Sequence, residues 1–184
     1  MKHFKTLYVA LTIILVISFT SFPVLPVQAN TSDEWPMFYH DACHTGYSSS
    51  EAPDYAYVLW TYQTGSLIES SPSVANGKVF IISGNGYLYA LDALTGVLKW
   101  PYYLGGHYYD CPTVSNGRIF LGYHMSPVLR VLNETTGGPS WSYNTPSVGI
   151  YSPPIVSGGR VYFVTAHPAR VYALSETDGS LIWS

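Results

Sequence analysis

From Ser70 to Gly105 the apolar side chains come in short runs broken by glycine, asparagine or aspartate: "SSPSVAN", "KVFIISG", "YLYALDA" and "VLKWPYYLG". No apolar stripe recurs at helical spacing. Short runs rich in β-branched and aromatic residues, bounded by turn formers, predict strands. In "KVFIISG" and "YLYALDA" the apolar positions are too continuous for a strand with one wet face, which predicts sheets covered on both sides. Asn76-Gly77, Asn116-Gly117 and Gly158-Gly159 predict tight hairpins, because the two central residues of such turns take positive φ. Asn85-Gly86 marks another hairpin, and Asp92 to Gly96 a third reversal in the same unit.

The pattern then repeats. Trp60, Trp100, Trp141 and Trp183 are spaced by 40, 41 and 42 residues, and Pro72, Pro112 and Pro154 by 40 and 42. Gly77, Gly117 and Gly159 keep the same beat, as do Gly96, Gly137 and Gly179. Four series with one period define a tandem repeat. Four short antiparallel strands in about 40 residues is the arithmetic of a β-propeller blade. The predicted fold is all-β, a propeller of four-stranded antiparallel blades near residues 66–104, 105–145 and 146–184, within a repeat region 55–184. The stretch "YVLWTYQTG" before the first blade is expected to be a further outer strand. About three blades form an incomplete ring with open edges, so the chain is expected to be part of a larger propeller.

The remaining ends divide differently. Residues 1–29 have a basic start, the apolar run "LYVALTIILVISF", Pro23 and Pro26, and a small-residue pattern ending at Ala29. That is the form of a cleaved export signal, and it is short of the ~20 apolar residues of a spanning helix. The expected location is secreted, extracellular or periplasmic, or at the cell surface, with no stable membrane span after cleavage. Residues 30–54 form an N-terminal docking segment in which Trp35, Phe38, Tyr39 and Tyr47 are expected to bury apolar area. Beyond residue 29 six Lys and Arg stand against eleven Asp and Glu, which argues against a nucleic-acid partner.

The repeat also carries a signature. Ala90, Asp92, Thr95, Gly96 and Trp100 resemble the tryptophan-docking motif of PQQ-like, quinoprotein-type propellers, including the BamB-like members. The second unit has Val131, Asn133, Thr136, Gly137 and Trp141 at these places, and the third Ala173, Ser175, Asp178, Gly179 and Trp183. The segment "EWPMFYHDACHTGYSSS" resembles the lead-in to the first blade of the same superfamily. The resemblance implies two functions of different kinds. One is non-enzymatic scaffolding, with a protein partner or surface polymer and no cofactor. The other is a dehydrogenase that uses pyrroloquinoline quinone (PQQ) and calcium. Several such dehydrogenases hold two adjacent cysteines over the quinone, which Cys43 and Cys111, 68 residues apart, are not. A surface carbohydrate-binding propeller is a third reading. The scaffold is the expectation, with Asp92, Thr95, Gly96, Trp100, Thr136, Gly137, Trp141, Gly179 and Trp183 as structural motif and no catalytic residue assigned.

Few other residues offer chemistry. Export permits a Cys43–Cys111 disulfide, and two unpaired cysteines are the other reading. "HDACH" gathers His40, Asp41, Cys43 and His44, yet no helix is predicted to align them for a metal. "GGHYYD", His124 and His167 fall at loops, where ligands bind and where sequences also drift. Asn30 and Asn133 begin glycosylation sequons. No Gly-x-Ser-x-Gly elbow is present.

Overall fold

Asn76 and Asn116 take φ of 49° and 45°, and the glycines after them 69° and 72°, so both hairpins form where the sequence places them. The computed structural model describes residues 34–50, 55, 57–106 and 110–184; residues 1–29, expected to be an export signal, Asn30 and His107 lie outside the described residues. Blade 1 is β1 (Ser73–Ala75), β2 (Lys78–Ser83), β3 (Tyr87–Asp92) and β4 (Leu98–Tyr103). Blade 2 is β5 (Thr113–Ser115), β6 (Arg118–Leu121), β7 (Val128–Asn133) and β8 (Pro139–Asn144). Blade 3 is β9 (Ile155–Ser157), β10 (Arg160–Ala166), β11 (Ala169–Ser175) and β12 (Leu181–Trp183). Each is an antiparallel meander with strands in chain order. The third and fourth strands slip register at one equivalent place in each blade, at Ala90/Leu91, Val131/Leu132 and Ala173/Leu174. Among the described residues no helix is long and apolar enough to cross a membrane.

Alternation along the middle strands gives each blade two apolar faces. Phe80, Ile82, Leu88 and Ala90 of blade 1 pack with Val114, Ile119, Leu121 and Leu132 of blade 2. The opposite face of blade 2, with Phe120, Leu129 and Val131, packs on Val156, Val161, Tyr172 and Leu174 of blade 3. Continuous hydrophobicity was therefore a sound sign of double burial. The short first strands are innermost, β1 lying against β5 and β5 against β9.

Three polar contacts at different radii close each interface. Nearest the axis, the Ser73 hydroxyl donates to the Pro112 carbonyl, and that of Thr113 to the Pro154 carbonyl. Further out, Asn76 Nδ2 donates to Glu134 at 2.7 Å, and Asn116 Nδ2 to Glu176 at 2.9 Å. At the rim, Trp100 Nε1 donates to the Glu134 carbonyl at 3.2 Å, and Trp141 Nε1 to the Glu176 carbonyl at 3.3 Å. Both glutamates are buried, which requires such partners.

Two expectations need correction. Residues 57–64 form no strand ladder; they are held by side chains instead. Trp60 Nε1 donates to the Ala93 carbonyl at 3.0 Å, and the Thr64 carbonyl accepts Asn85 Nδ2 at 2.7 Å. In the docking segment, Phe38, Tyr39 and Tyr47 are exposed, whereas Met37 is buried. Backbone pairing does most of the docking. Trp35 exchanges two 2.8 Å hydrogen bonds with Val74, and Val114 N–H donates to the Pro36 carbonyl at 2.7 Å. Residues 34–37 thus run along the innermost strands of blades 1 and 2.

Candidate functional site

The signature residues build a turn and its socket. Asp92 Oδ1 accepts the Leu94 and Thr95 amides and the Thr95 hydroxyl at 2.9–3.1 Å. Asn133 Oδ1 does the same for Thr135 and Thr136 at 2.9–3.1 Å, so asparagine replaces aspartate without loss of the turn. In blade 3 the side-chain bonds change: the Ser175 hydroxyl caps the Thr177 amide, and Asp178 caps Ser180. The backbone bond persists throughout, from Gly96, Gly137 and Gly179 to the carbonyls of Asp92, Asn133 and Ser175. Lys99 at 2.9 Å, helped by Thr95, holds the half-buried Asp92 carboxyl well below its ordinary range.

Each glycine is a socket for a tryptophan of the preceding repeat. A Cβ on Gly96 would meet the Trp60 ring at 2.6 Å, and one on Gly137 the Trp100 ring at 2.6 Å. Trp141 fills the same place over Gly179. The companion aromatic also repeats, with centroid separations of 6.0 Å for Phe80–Trp100, 5.9 Å for Phe120–Trp141 and 6.1 Å for Tyr162–Trp183. Trp183 itself remains 48% exposed.

The two thiols are free: Cys43 is exposed, and Cys111 is buried, 3.2 Å from the Ser73 hydroxyl. Burial pushes the Cys111 thiol above its ordinary value. Of the other "HDACH" side chains Asp41 meets His40, whose Nδ1 lies 3.5 Å from Oδ2. Its carboxylate accepts the Thr45 hydroxyl at 2.5 Å and the Thr45 and Cys43 amides at 3.2 and 2.8 Å. It thereby closes a loop, and its pKa falls to about 2 chiefly through Thr45.

The two ends of the blades differ chemically. One end carries the Asn76-Gly77, Asn116-Gly117 and Gly158-Gly159 hairpins and the signature turns. The other carries longer loops, including 65–72, 104–106 with 110–112, 122–127 and 145–154, with residues 37–47 beside them. All four described histidines, His40, His44, His124 and His167, belong to this long-loop face, and His124 stacks on Tyr151 at 4.6 Å. Near the axis here lies a cavity of about 270 Å³, lined by Phe38, Glu69, Ser71, Asp110, Cys111 and Pro153. The loops entering the innermost strands of all three blades contribute to it. This is the candidate site.

Asp110 is its unusual group. Oδ2 is shielded from solvent and has no hydrogen-bond partner. Burial raises the carboxyl above its ordinary 3.8, while the nearby His124 opposes the rise. A raised folded pKa means the folded chain holds this proton more tightly than the unfolded chain. The carboxyl then costs nothing below its unfolded value, and destabilises as pH rises through its folded value. Asp110→Asn is therefore expected to raise the thermal midpoint near neutral pH and leave it unchanged below the carboxylate range. An equal gain at both pH values would rule out burial of the charge as the cause.

"GGHYYD" pointed to this loop, but Glu69, Ser71 and the role of Phe38 were not legible in it. The glutamate contacts were missed as well, although the sequence carried a sign. Glu134 and Glu176 recur 42 residues apart where unit 1 has Ala93; Asn76 and Asn116 recur where unit 3 has Gly158. The two halves of the contact are offset by one unit.

Three stacked four-stranded meanders, each clamped to the next by tryptophan on a Thr-Gly or Asp-Gly turn, define a PQQ-like β-propeller. A family model described as outer membrane protein assembly factor BamB matches residues 54–111 and 104–184, and the chain belongs to that family. Among solved structures it is similar to BamB from Moraxella catarrhalis, with 23% identity and a TM-score of 0.61 over 69% of this chain and 40% of that one. A europium-containing methanol dehydrogenase gives 20% identity and 0.70 over 84% of this chain and 32% of the other. The quinohemoprotein alcohol dehydrogenase of Comamonas testosteroni gives 20% and 0.70 over 85% and 28%. The chain thus spans well under half the length of these proteins, and at such identities they share its fold. No curated protein sequence matches it.

The dehydrogenase likeness implies PQQ and calcium, and the described residues do not fit them. Residues 34–37 occupy the innermost strands where blades 1 and 2 meet. Calcium takes 6–8 oxygen ligands, while among the described residues no three of His, Cys, Asp and Glu come together as a metal-binding group.

Proposed function

We propose that this chain is an exported, non-catalytic propeller module of the cell envelope or exterior, which recognises a protein partner through its long-loop face. The observation that carries this reading is the use of the axial strands by the chain's own segment. Trp35 and Pro36 pair with β1 and β5, and Met37 is 7% exposed. A propeller that fills its inner edge with backbone keeps its loops for recognition. Those loops are well suited to it: Leu67, Met125, Val148 and Tyr151 are exposed there, and loops on a rigid scaffold commonly carry binding. The family model described as an assembly factor supports the same reading.

Titration with pyrroloquinoline quinone in the presence of calcium, followed by visible absorbance, tests it. The expected result is no saturable change in the quinone spectrum. A saturable, calcium-dependent spectrum would replace the recognition module with a quinone-dependent dehydrogenase.

A further inference from the structure

We propose that the axial cavity of the long-loop face receives a cationic side chain, an arginine by preference, presented by a loop of the protein partner. This rests on reading the chain as a recognition module.

The cavity offers what a guanidinium needs. Glu69, on an exposed stretch of loop, supplies an accessible carboxylate; Asp110 supplies a second, more deeply set. Buried polar atoms are nearly always paired, so the solitary Asp110 Oδ2 marks a group whose partner comes from elsewhere. Phe38, 36% exposed, gives one wall an aromatic ring, and arginine stacks on such faces while its planar fork meets carboxylates. Ser71 adds a hydroxyl acceptor. Lysine offers the charge without the plane, which is why arginine is favoured.

Size and charge exclude other occupants. At about 270 Å³ the cavity is below the ~300–1,000 Å³ usual for cofactors and drug-sized ligands, but it has room for one long side chain. The loops of this face and residues 37–47 contain Asp41, Glu69 and Asp110 and neither lysine nor arginine. Lys78, Arg118 and Arg160 follow the hairpins of the opposite face, and Lys99 stands beside its Asp92 turn. Arg130, in β7, is already engaged with the Leu104 carbonyl at 3.3 Å, and Arg170 is in β11. An anion would thus meet two carboxylates, with only the His124 imidazole nearby to offset them, and an apolar side chain would leave both carboxylates unanswered.

The site is also held in place. The hydroxyls of Ser73 and Thr113 tie β1 and β5 to Pro112 and Pro154, so the cavity walls from the three blades are fixed next to the innermost hydrogen bonds of the ring. A preorganised pocket loses less entropy on binding. Burial already raises the Asp110 carboxyl, and a docked cation would reverse that shift.

Agmatine, which is arginine without its carboxylate, is the probe. Titrated into the ¹⁵N-labelled chain, it should shift the amide resonances of Ser71, Asp110 and Cys111 saturably, and less so at high salt. A neutral urea of the same length should not. Glu69→Gln, on an exposed residue, and Asp110→Asn, isosteric, should each weaken binding by about tenfold or more, as for a lost charge-assisted hydrogen bond. Shifts that are absent, shared with the urea, or unchanged in Glu69→Gln would overturn the assignment. Such a failure leaves the recognition reading standing, because only the quinone titration bears on that.

Discussion

Gly137→Ala is expected to destabilise the chain by about 2–5 kcal/mol, and Gly117→Ala by only about 1–2 kcal/mol. The two glycines have nearly the same backbone, with φ of 71° and 72°. Both substitutions put an L side chain in the left-handed region, which accounts for the smaller cost. Their surroundings differ. A Cβ on Gly117 would have nothing within 4 Å, whereas on Gly137 it would lie 2.6 Å from Cδ2 and Cε3 of Trp100. The ring would have to leave its socket, losing the Nε1 bond to Glu134 and its packing beside Phe80. Urea denaturation of both variants measures the difference. Equal losses would mean that Trp100 is not seated on Gly137 in solution.

Glu134→Ala should cost about 2–4 kcal/mol, because it removes the buried partner of a half-buried ion pair. Glu134 accepts Lys78 Nζ at 3.0 Å and Asn76 Nδ2 at 2.7 Å, with the two charged side chains 3% and 19% exposed. Glu176 occupies the same place in the next blade, but its partners are neutral: Ser115 Oγ at 2.8 Å and Asn116 Nδ2 at 2.9 Å. Glu176→Ala should therefore cost about 1–3 kcal/mol, the penalty of leaving neutral donors unpaired. Adding Lys78→Met to Glu134→Ala should recover part of the loss, since no half-buried ammonium is then left without its carboxylate. Denaturant midpoints for the three variants test this. If the two glutamates proved equivalent, the Lys78 charge would contribute nothing.

These two results concern opposite sorts of legibility. The glycine and the tryptophan announce themselves at a 40-residue beat, and the turn they share follows from local chemistry. Asp92, Asn133 and Ser175 are different residues that cap one backbone, so even the worn copies of the motif could be aligned. Glu134 is harder to read from its own repeat, because its partners, Asn76 and Lys78, are 58 and 56 residues away. Within a single unit there is nothing for it to bind. The segment around Trp60 shows the limit from the other side: its sequence is that of a strand, yet residues 57–64 join no ladder.

The sequence by itself determined the all-β class, the blade length, the hairpins and the tryptophan clamp, since these depend on φ preferences, alternation and contacts one repeat apart. The long-loop face and its cavity were decided only by tertiary structure. Phe38, Glu69, Asp110 and Pro153 lie in four separate segments with no common spacing, and stacking the blades brings them to one place. Periodicity reports what is repeated. A cavity at the axis is made once, from the parts that are not.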